Sequence, residues 1–242
     1  MKNSIYTTAA GMLTTSERLN TVSNNLANVS TAGFKGDIPF EQAIKFLEEG
    51  PYPGKDQPVL GDNVIDMQQG IIRNTGRDLD LAIEGSGMFT VQGPDNQVFY
   101  TRNGAFNLNS NRELVSTEGY NVLDKFDRKI TFFGQKFEIT PNGDIIIDGN
   151  YYTTLKIIES PDRKEMEKVG NIYFKMKEDA PAPTVAATPS LQVASLEQSN
   201  VNALEGIALV GQAQRTFELQ RTAADVILRT LRRMITEVPR PI

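Results

Sequence analysis

Two helix-period segments, one at each end of the chain, constrain the fold more than any other feature. Ile5, Ala9, Met12, Ser16, Leu19, Ser23 and Leu26 step by four and three residues, a heptad stripe widened by Leu13 and Val22. Ile207, Val210, Gln214, Phe217, Arg221, Ala224, Leu228, Leu231 and Ile235 repeat the pattern near the other end. Both stripes are narrow and carry polar interruptions. The first segment is also rich in Thr, Ser and Asn, which are mediocre helix formers. Such helices are marginal alone and need a partner. The fold read from this pattern is α+β: an antiparallel, β-rich central domain bracketed by long N- and C-terminal helices that pair as a coiled coil. At about 1.5 Å per residue the helices span roughly 40 and 50 Å.

The first helix is expected to end near Ser30–Thr31, with Gly33 as its stop. A short amphipathic piece fits Phe40 to Leu47, and PYPGKDQPVLGDN at 51–63 reads as irregular linker. From Met67 the pattern changes to short alternating runs with tight turns. Strands fit Leu79–Ile83, Met88–Gln92, Gln97–Thr101, Ala105–Leu108, Glu113–Ser116, Asn121–Leu123, Lys129–Phe133, Phe137–Ile139, Asp144–Ile147 and Thr153–Ile158. Asn142-Gly143 and Asp148-Gly149 mark hairpin turns. The expected division is therefore a helix over 1–35, linker over 36–66, β domain over 67–179, linker over 180–199, and helix plus tail over 200–242.

Composition removes several function classes. The 242 residues include neither His nor Cys, which rules out zinc sites built on those ligands, thiol chemistry and histidine acid–base catalysis. A net charge of −5 argues against a dedicated nucleic-acid binder. No apolar run is long enough to span a bilayer, so a membrane-embedded protein is not expected. Polar Thr and Asn interrupt the first twenty residues, so no cleaved signal peptide is expected there either.

The remaining chemical candidates have simpler structural readings. Asp78 and Asp80 alternate onto one strand face without a partner group. Asn107, Asn109, Asn111 and Glu118 match calcium-loop positions 1, 3, 5 and 12, but the sixth position is Arg112 where Gly is required. A hairpin turn accounts for that run better. No catalytic residue, cofactor, metal or small-molecule substrate is expected. The stripes instead point to helices that pack against other subunits as well as each other. Weak propensity and thin stripes lead to the further expectation that both terminal segments are largely unfolded in the monomer. A soluble β domain with helical dimerisation arms is the competing class.

SNNLANVSTAGFK at 23–35 resembles the signature of the bacterial flagellar rod and hook proteins. The likeness continues through DLDLAIEGSGMFTV (78–91), YTRNGAFNLNSNRELVSTEGY (100–120), ITPNGDI (139–145) and LEQSNVNALEGIALVGQAQRTFELQ (196–220). Arg112 stands at a turn where the family usually has Gly. The resemblance implies a non-enzymatic subunit of the flagellar basal-body rod, self-assembling into a tubular shaft that transmits torque and encloses the export channel. It implies a periplasmic place, other rod subunits and the flagellar type III export apparatus as partners, and export without a cleaved signal. The short segment between Gly33 and Asp78 is most like that of proximal rod proteins. Distal rod proteins come next, and a hook-type subunit remains an alternative. The assembly interface is expected at Leu19, Asn24, Asn25, Leu26, Asn28 and Phe34 in the first segment. In the second it is expected at Asn200, Asn202, Gln214, Arg215, Phe217 and Glu218. The Asn/Ser/Thr density of 23–35 is read as hydrogen-bonding surface exposed in the monomer.

Overall fold

The computed structural model describes residues 2–38, 41–43, 58–60, 64–134, 136–159, 165–186 and 189–237. Phe40, Ile44, Leu47 and the VPRPI tail of the sequence reading lie outside them, as do the side chains of Ile5, Leu231 and Ile235. Two long helices, α1 (Lys2–Ala27) and α2 (Ala203–Glu237), bracket an antiparallel β-rich middle in the chain. The chain divides into two compact units. One contains 1–27, 37–65 and 202–242; the other contains 28–36 and 66–201.

In the helical unit α1 and α2 run antiparallel. Gly206 faces the Leu26 side chain at 3.5 Å from where a Cβ would stand, and Gly11 faces the Gln220 amide at 3.3 Å. The same unit holds two short strand pairs: Asp37–Ile38 with Val64–Ile65, and Glu41–Ala43 with Pro58–Leu60. The stretch expected to be linker thus supplies strands, because Ile38 before Pro39 and Val59, Leu60, Val64 and Ile65 after Pro58 give it strand-forming sequence.

The β unit is built on a mixed-length antiparallel sheet whose centre is Met88–Gln92. That strand pairs with Val98–Thr101 along one side and with Asn121–Val122 and Ile157–Ile158 along the other. A three-stranded meander, Phe137–Ile139, Asp144–Ile147 and Asn150–Thr154, stands apart in pairing. Its second hairpin turns through Asp148 and Gly149, at φ 50° and 82°, the left-handed pair that a two-residue hairpin requires. Leu81, Ile83, Phe89, Val91, Phe106, Leu114, Ile145 and Ile157 fill the core with neighbours from every layer. Phe89 and Phe106 meet edge-on at 5.1 Å.

Lys129–Phe133 forms isolated bridges rather than the expected strand, Glu113 with Thr131 and Leu123 with Lys129. Strands at Met166–Val169, Tyr173–Met176, Ser190–Val193 and Ser195–Glu197 were not anticipated. The last two occupy the expected linker.

Asp124 staples one edge of this unit. Its buried carboxylate accepts the backbone N–H groups of Phe126 and Arg128, the Thr153 hydroxyl, and two N–H groups of the Arg128 guanidinium at 2.7 and 3.0 Å. Burial alone would push this carboxyl up; the Arg128 side chain and the converging donors outweigh it and hold the group below the usual carboxylate value. A carboxyl depressed on folding contributes stability above its unfolded value. That contribution is lost as pH falls through the lower folded value. The stability of the wild type should therefore fall on acidification below about pH 4, and Asp124→Asn should flatten that dependence. Denaturant titrations between neutral pH and pH 2 check it.

Candidate functional site

Three segments that carry the family-like sequence meet in the β unit. Gly33 N–H donates to the Glu197 carbonyl at 2.8 Å, which lays the 28–36 segment beside the strand Ser195–Glu197. The next two residues, Phe34 and Lys35, are wholly buried. Lys35 Nζ donates to Glu197 Oε1 and to the Gln68 carbonyl, both at 2.6 Å. The same carboxylate oxygen accepts Gly70 N–H at 2.8 Å, and Glu197 Oε2 meets Arg102 at 3.4 Å. Arg102 also donates to the carbonyls of Gly85 at 2.7 Å and Ile83 at 3.4 Å. Neither Lys35 nor Glu197 has any side-chain exposure, and Arg102 has 3%.

Two cations and one anion thus share a closed site. Burial lowers both Lys35 and Arg102 below their ordinary values, and Glu197 pulls each back up. Pairing is what keeps three such charges inside the fold, because a buried charge without a partner costs several kcal/mol. Lys168 seals the outside: its Nζ donates to the Lys35 carbonyl at 2.8 Å and sits 4.2 Å from the centre of the Phe34 ring.

Asn200 ties in the flanking backbone. Its Oδ1 accepts Gly36 N–H at 2.9 Å, while its Nδ2 donates to the carbonyls of Asp66 at 2.8 Å and Gln68 at 3.3 Å. Gly33 and Gly70 are required by close approach. A Cβ on Gly33, at φ 67°, would stand 2.5 Å from Asn103 Cα and closer still to Asn103 N; one on Gly70 would overlap the Gln198 carbonyl. Gly33 is therefore not a helix stop: α1 ends six residues before it, at Ala27.

In the helical unit, one part of the facing surfaces is made of small and polar groups. Gly11, Thr14, Thr15 and Arg18 of α1 and Gln212, Ala213, Thr216 and Gln220 of α2 line one cleft between them. Thr14 and Thr15 return their hydroxyls to the carbonyls of Ala10 and Gly11. The inward residues of α2 are Gly206, Val210, Ala213, Phe217, Gln220, Ala224 and Ile227, all buried or half-buried. This is a heptad pattern, but alternate positions fall one residue before the expected Ile207, Gln214, Arg221 and Leu228, all four of which are exposed. Large apolar residues consequently face out: Tyr6 and Leu13 on α1, 66% and 65% exposed, and Leu219 and Val226 on α2, 72% and 57% exposed. Each pair is seven residues apart, so each forms a stripe of its own.

The residues expected at an interface divide by environment. Asn28 and Phe34 are buried, and Asn28 Oδ1 accepts the Thr31 hydroxyl at 3.3 Å. The exposed-surface reading of 23–35 therefore fails in its second half, because Phe34 and Lys35 fill the interior of the β unit. Asn25 clamps the backbone of one residue, donating to the Asp37 carbonyl at 2.8 Å and accepting Asp37 N–H at 3.0 Å. Asn202 caps α2: its Oδ1 accepts Leu204 N–H at 3.0 Å and Glu205 N–H at 3.4 Å. Asn202→Ala should cost about 1 kcal/mol of helix stability, with Asn202→Asp close to wild type, read as the thermal midpoint of helical circular dichroism. Leu19, Leu26 and Phe217 are half-buried, whereas Asn24, Gln214, Arg215 and Glu218 are exposed.

The sequence reading missed Lys35, Arg102, Glu197, Gly70 and Gln68. Lys35, Arg102 and Glu197 all lie within the motif stretches, yet 162 residues separate the Lys35–Glu197 pair and no spacing rule connects them. The other chemical candidates take structural roles. Asp80 is buried and paired with Arg77 and the Thr75 hydroxyl. Asn109 Oδ1 accepts the N–H groups of Asn111 and Glu113, closing the hairpin turn in which Arg112 adopts φ 60°.

Residues 82–157 match the family model described as the flagellar hook protein FlgE/F/G D1 domain, and residues 5–35 match the one described as flagella basal body rod protein. The flagellar basal-body rod protein FlgF of Caulobacter vibrioides is 33% identical over 227 residues, covering 90% of each chain. FlgG of Bacillus subtilis is 30% identical over 260 residues, covering 96% of this chain and 98% of its own. FlgG of Borreliella burgdorferi is 29% identical, with 92% and 94% covered. Lys35 and Arg102 fall inside the matched segments, and Glu197 lies beyond both. Among the described residues, no helix is long and apolar enough to cross a membrane.

Proposed function

The chain belongs to the flagellar basal-body rod protein family, and from that premise we propose that it is a structural subunit of the bacterial flagellar rod. It builds a tubular shaft from copies of its helical unit, which surround the export channel and carry torque. The β unit is a non-catalytic body. The observation that carries this reading is the outward placement of Tyr6, Leu13, Leu219 and Val226. A helix pair that buries some of its apolar residues between its helices but leaves Tyr6, Leu13, Leu219 and Val226 on its outer faces is built to be covered by further copies. The paired helices form a short coiled coil through the Gly206–Ile227 heptads, and neighbouring pairs pack on the outward stripes. Arg215 and Glu218, exposed among those stripes, supply polar contacts between subunits. Repetition of one head-to-tail contact yields an open helical assembly.

The proximal, FlgF-like position is the specific assignment, with other rod subunits and the flagellar type III export apparatus as partners and the periplasm as location. The near full-length similarity to FlgG favours the distal position as the second reading. Electron microscopy of basal bodies from a strain lacking this chain tests both. Rods absent or stopped close to the inner membrane support the proximal assignment, and a partial rod supports the distal one. Complete rods on motile cells contradict the function.

A further inference from the structure

We propose that the Lys35–Glu197–Arg102 network is a clasp that keeps residues 28–36 and 195–201 joined whether or not the terminal helices are formed. Helix pairing then starts at the clasp and proceeds outward. Residue 28 follows the last residue of α1 directly, and Val201 precedes the Asn202 cap of α2. The segments nearest these exits are tied to each other by Gly33 N–H on the Glu197 carbonyl, the buried Lys35–Glu197 pair, and Gly36 N–H on the Asn200 side chain. All of these bonds lie within the β unit, and no residue of either helix takes part in them.

The helix pair has no comparable core. Its facing residues include Gly11, Thr14, Thr15, Ala213 and Gln220, and Tyr6, Leu13, Leu219 and Val226 face out. Closing a loop between two free helices would require ordering the whole intervening chain. The clasp removes that entropy before the helices meet, since it holds their first facing residues, Leu26 and Gly206, a few residues from fixed points. The clasp is thus a positioning device for assembly. Only its use in assembly rests on the rod reading; its persistence in the monomer does not.

Amide exchange on the dilute full-length monomer reads this directly. Gly33, Gly36 and Gly70 should be protected to the same class as the Met88–Gln92 amides. Thr14→Pro, which breaks α1 at its middle, should leave that protection within about twofold while helix amides exchange freely. Glu197→Gln should release Gly33, Gly36 and Gly70 at least about tenfold while Phe89 and Val91 stay protected. Asn200→Ala, a milder change outside the ion network, should release Gly36 alone. Loss of Gly33 and Gly36 protection in Thr14→Pro would overturn the clasp, as would joint exchange of Gly33 with the helices in the wild type. Neither result depends on whether rods form in cells, so a failed rod assignment and a failed clasp are told apart.

Discussion

Glu197→Gln is expected to destabilise the β unit by about 3–5 kcal/mol, the usual cost of removing one partner from a buried ion pair. The substitution keeps the side-chain shape, so packing changes little. It leaves the Lys35 ammonium and the Arg102 guanidinium facing each other in a site with almost no solvent. Lys35→Met should cost less, because Glu197 then keeps Gly70 N–H and Arg102. The variant should also carry a pH signature. Burial already holds Lys35 below the ordinary lysine value of 10.5, and Glu197 opposes that shift. Without Glu197 the folded state sheds the Lys35 proton sooner than the unfolded chain does. In the window between the lowered folded value and 10.5 the unfolded state binds more protons, so stability rises with pH there. Urea unfolding followed by circular dichroism, at neutral pH and at pH 10, reads both effects. A Glu197→Gln protein as stable as wild type would remove the network from the account.

Gly33→Ala is the second large expectation, about 2–5 kcal/mol. Roughly 1–2 of this is the left-handed backbone of a non-glycine residue, and about 1–3 is overpacking against a neighbour that cannot yield. The neighbour is backbone, at Arg102 and Asn103, rather than the end of a flexible side chain. Gly149→Ala separates the two contributions. Gly149 has a similar φ of 82° but open space where its Cβ would stand, so only the conformational part applies. A difference between the two variants of more than about 1 kcal/mol in chemical unfolding supports docking of 28–36 on the 102–103 turn. Equal losses would contradict it.

Elements governed by local chemistry were legible in the sequence. Alternation placed Met88–Gln92, Phe137–Ile139 and Asp144–Ile147 with the bounds the structure gives them, and Asp148-Gly149 marked its hairpin. The strands at Ser190–Val193 and Ser195–Glu197 were hidden because Ala194 sits between them at φ 53°, which breaks the two-residue alternation across SLQVASLE. Met166–Val169 carries only two apolar residues in four and reads as polar loop.

The helix stripes were legible in period but not in phase. Hydrophobicity points toward Ile207 and Leu228, whereas the inward face places the small residues Gly206 and Ala213 beside Val210, Phe217 and Ile227. In the motif SNNLANVSTAGFK the Asn-rich half reads as surface, yet only Asn24 of its asparagines is exposed, Asn25 being half-buried and Asn28 buried. The GFK end was read the same way, yet it is interior, because its charge is answered by a carboxylate that local sequence cannot reveal.

The most direct test of the central claim, that the outward face of the helix pair is an assembly surface, is the double variant Leu219→Gln, Val226→Gln. Glutamine keeps helix propensity close to that of leucine, and both positions are exposed in the single chain. The purified variant should unfold at the wild-type denaturant midpoint, while the strain that carries it as its only copy should lack complete rods and fail to swim. Wild-type swimming and complete rods in that strain would contradict the account.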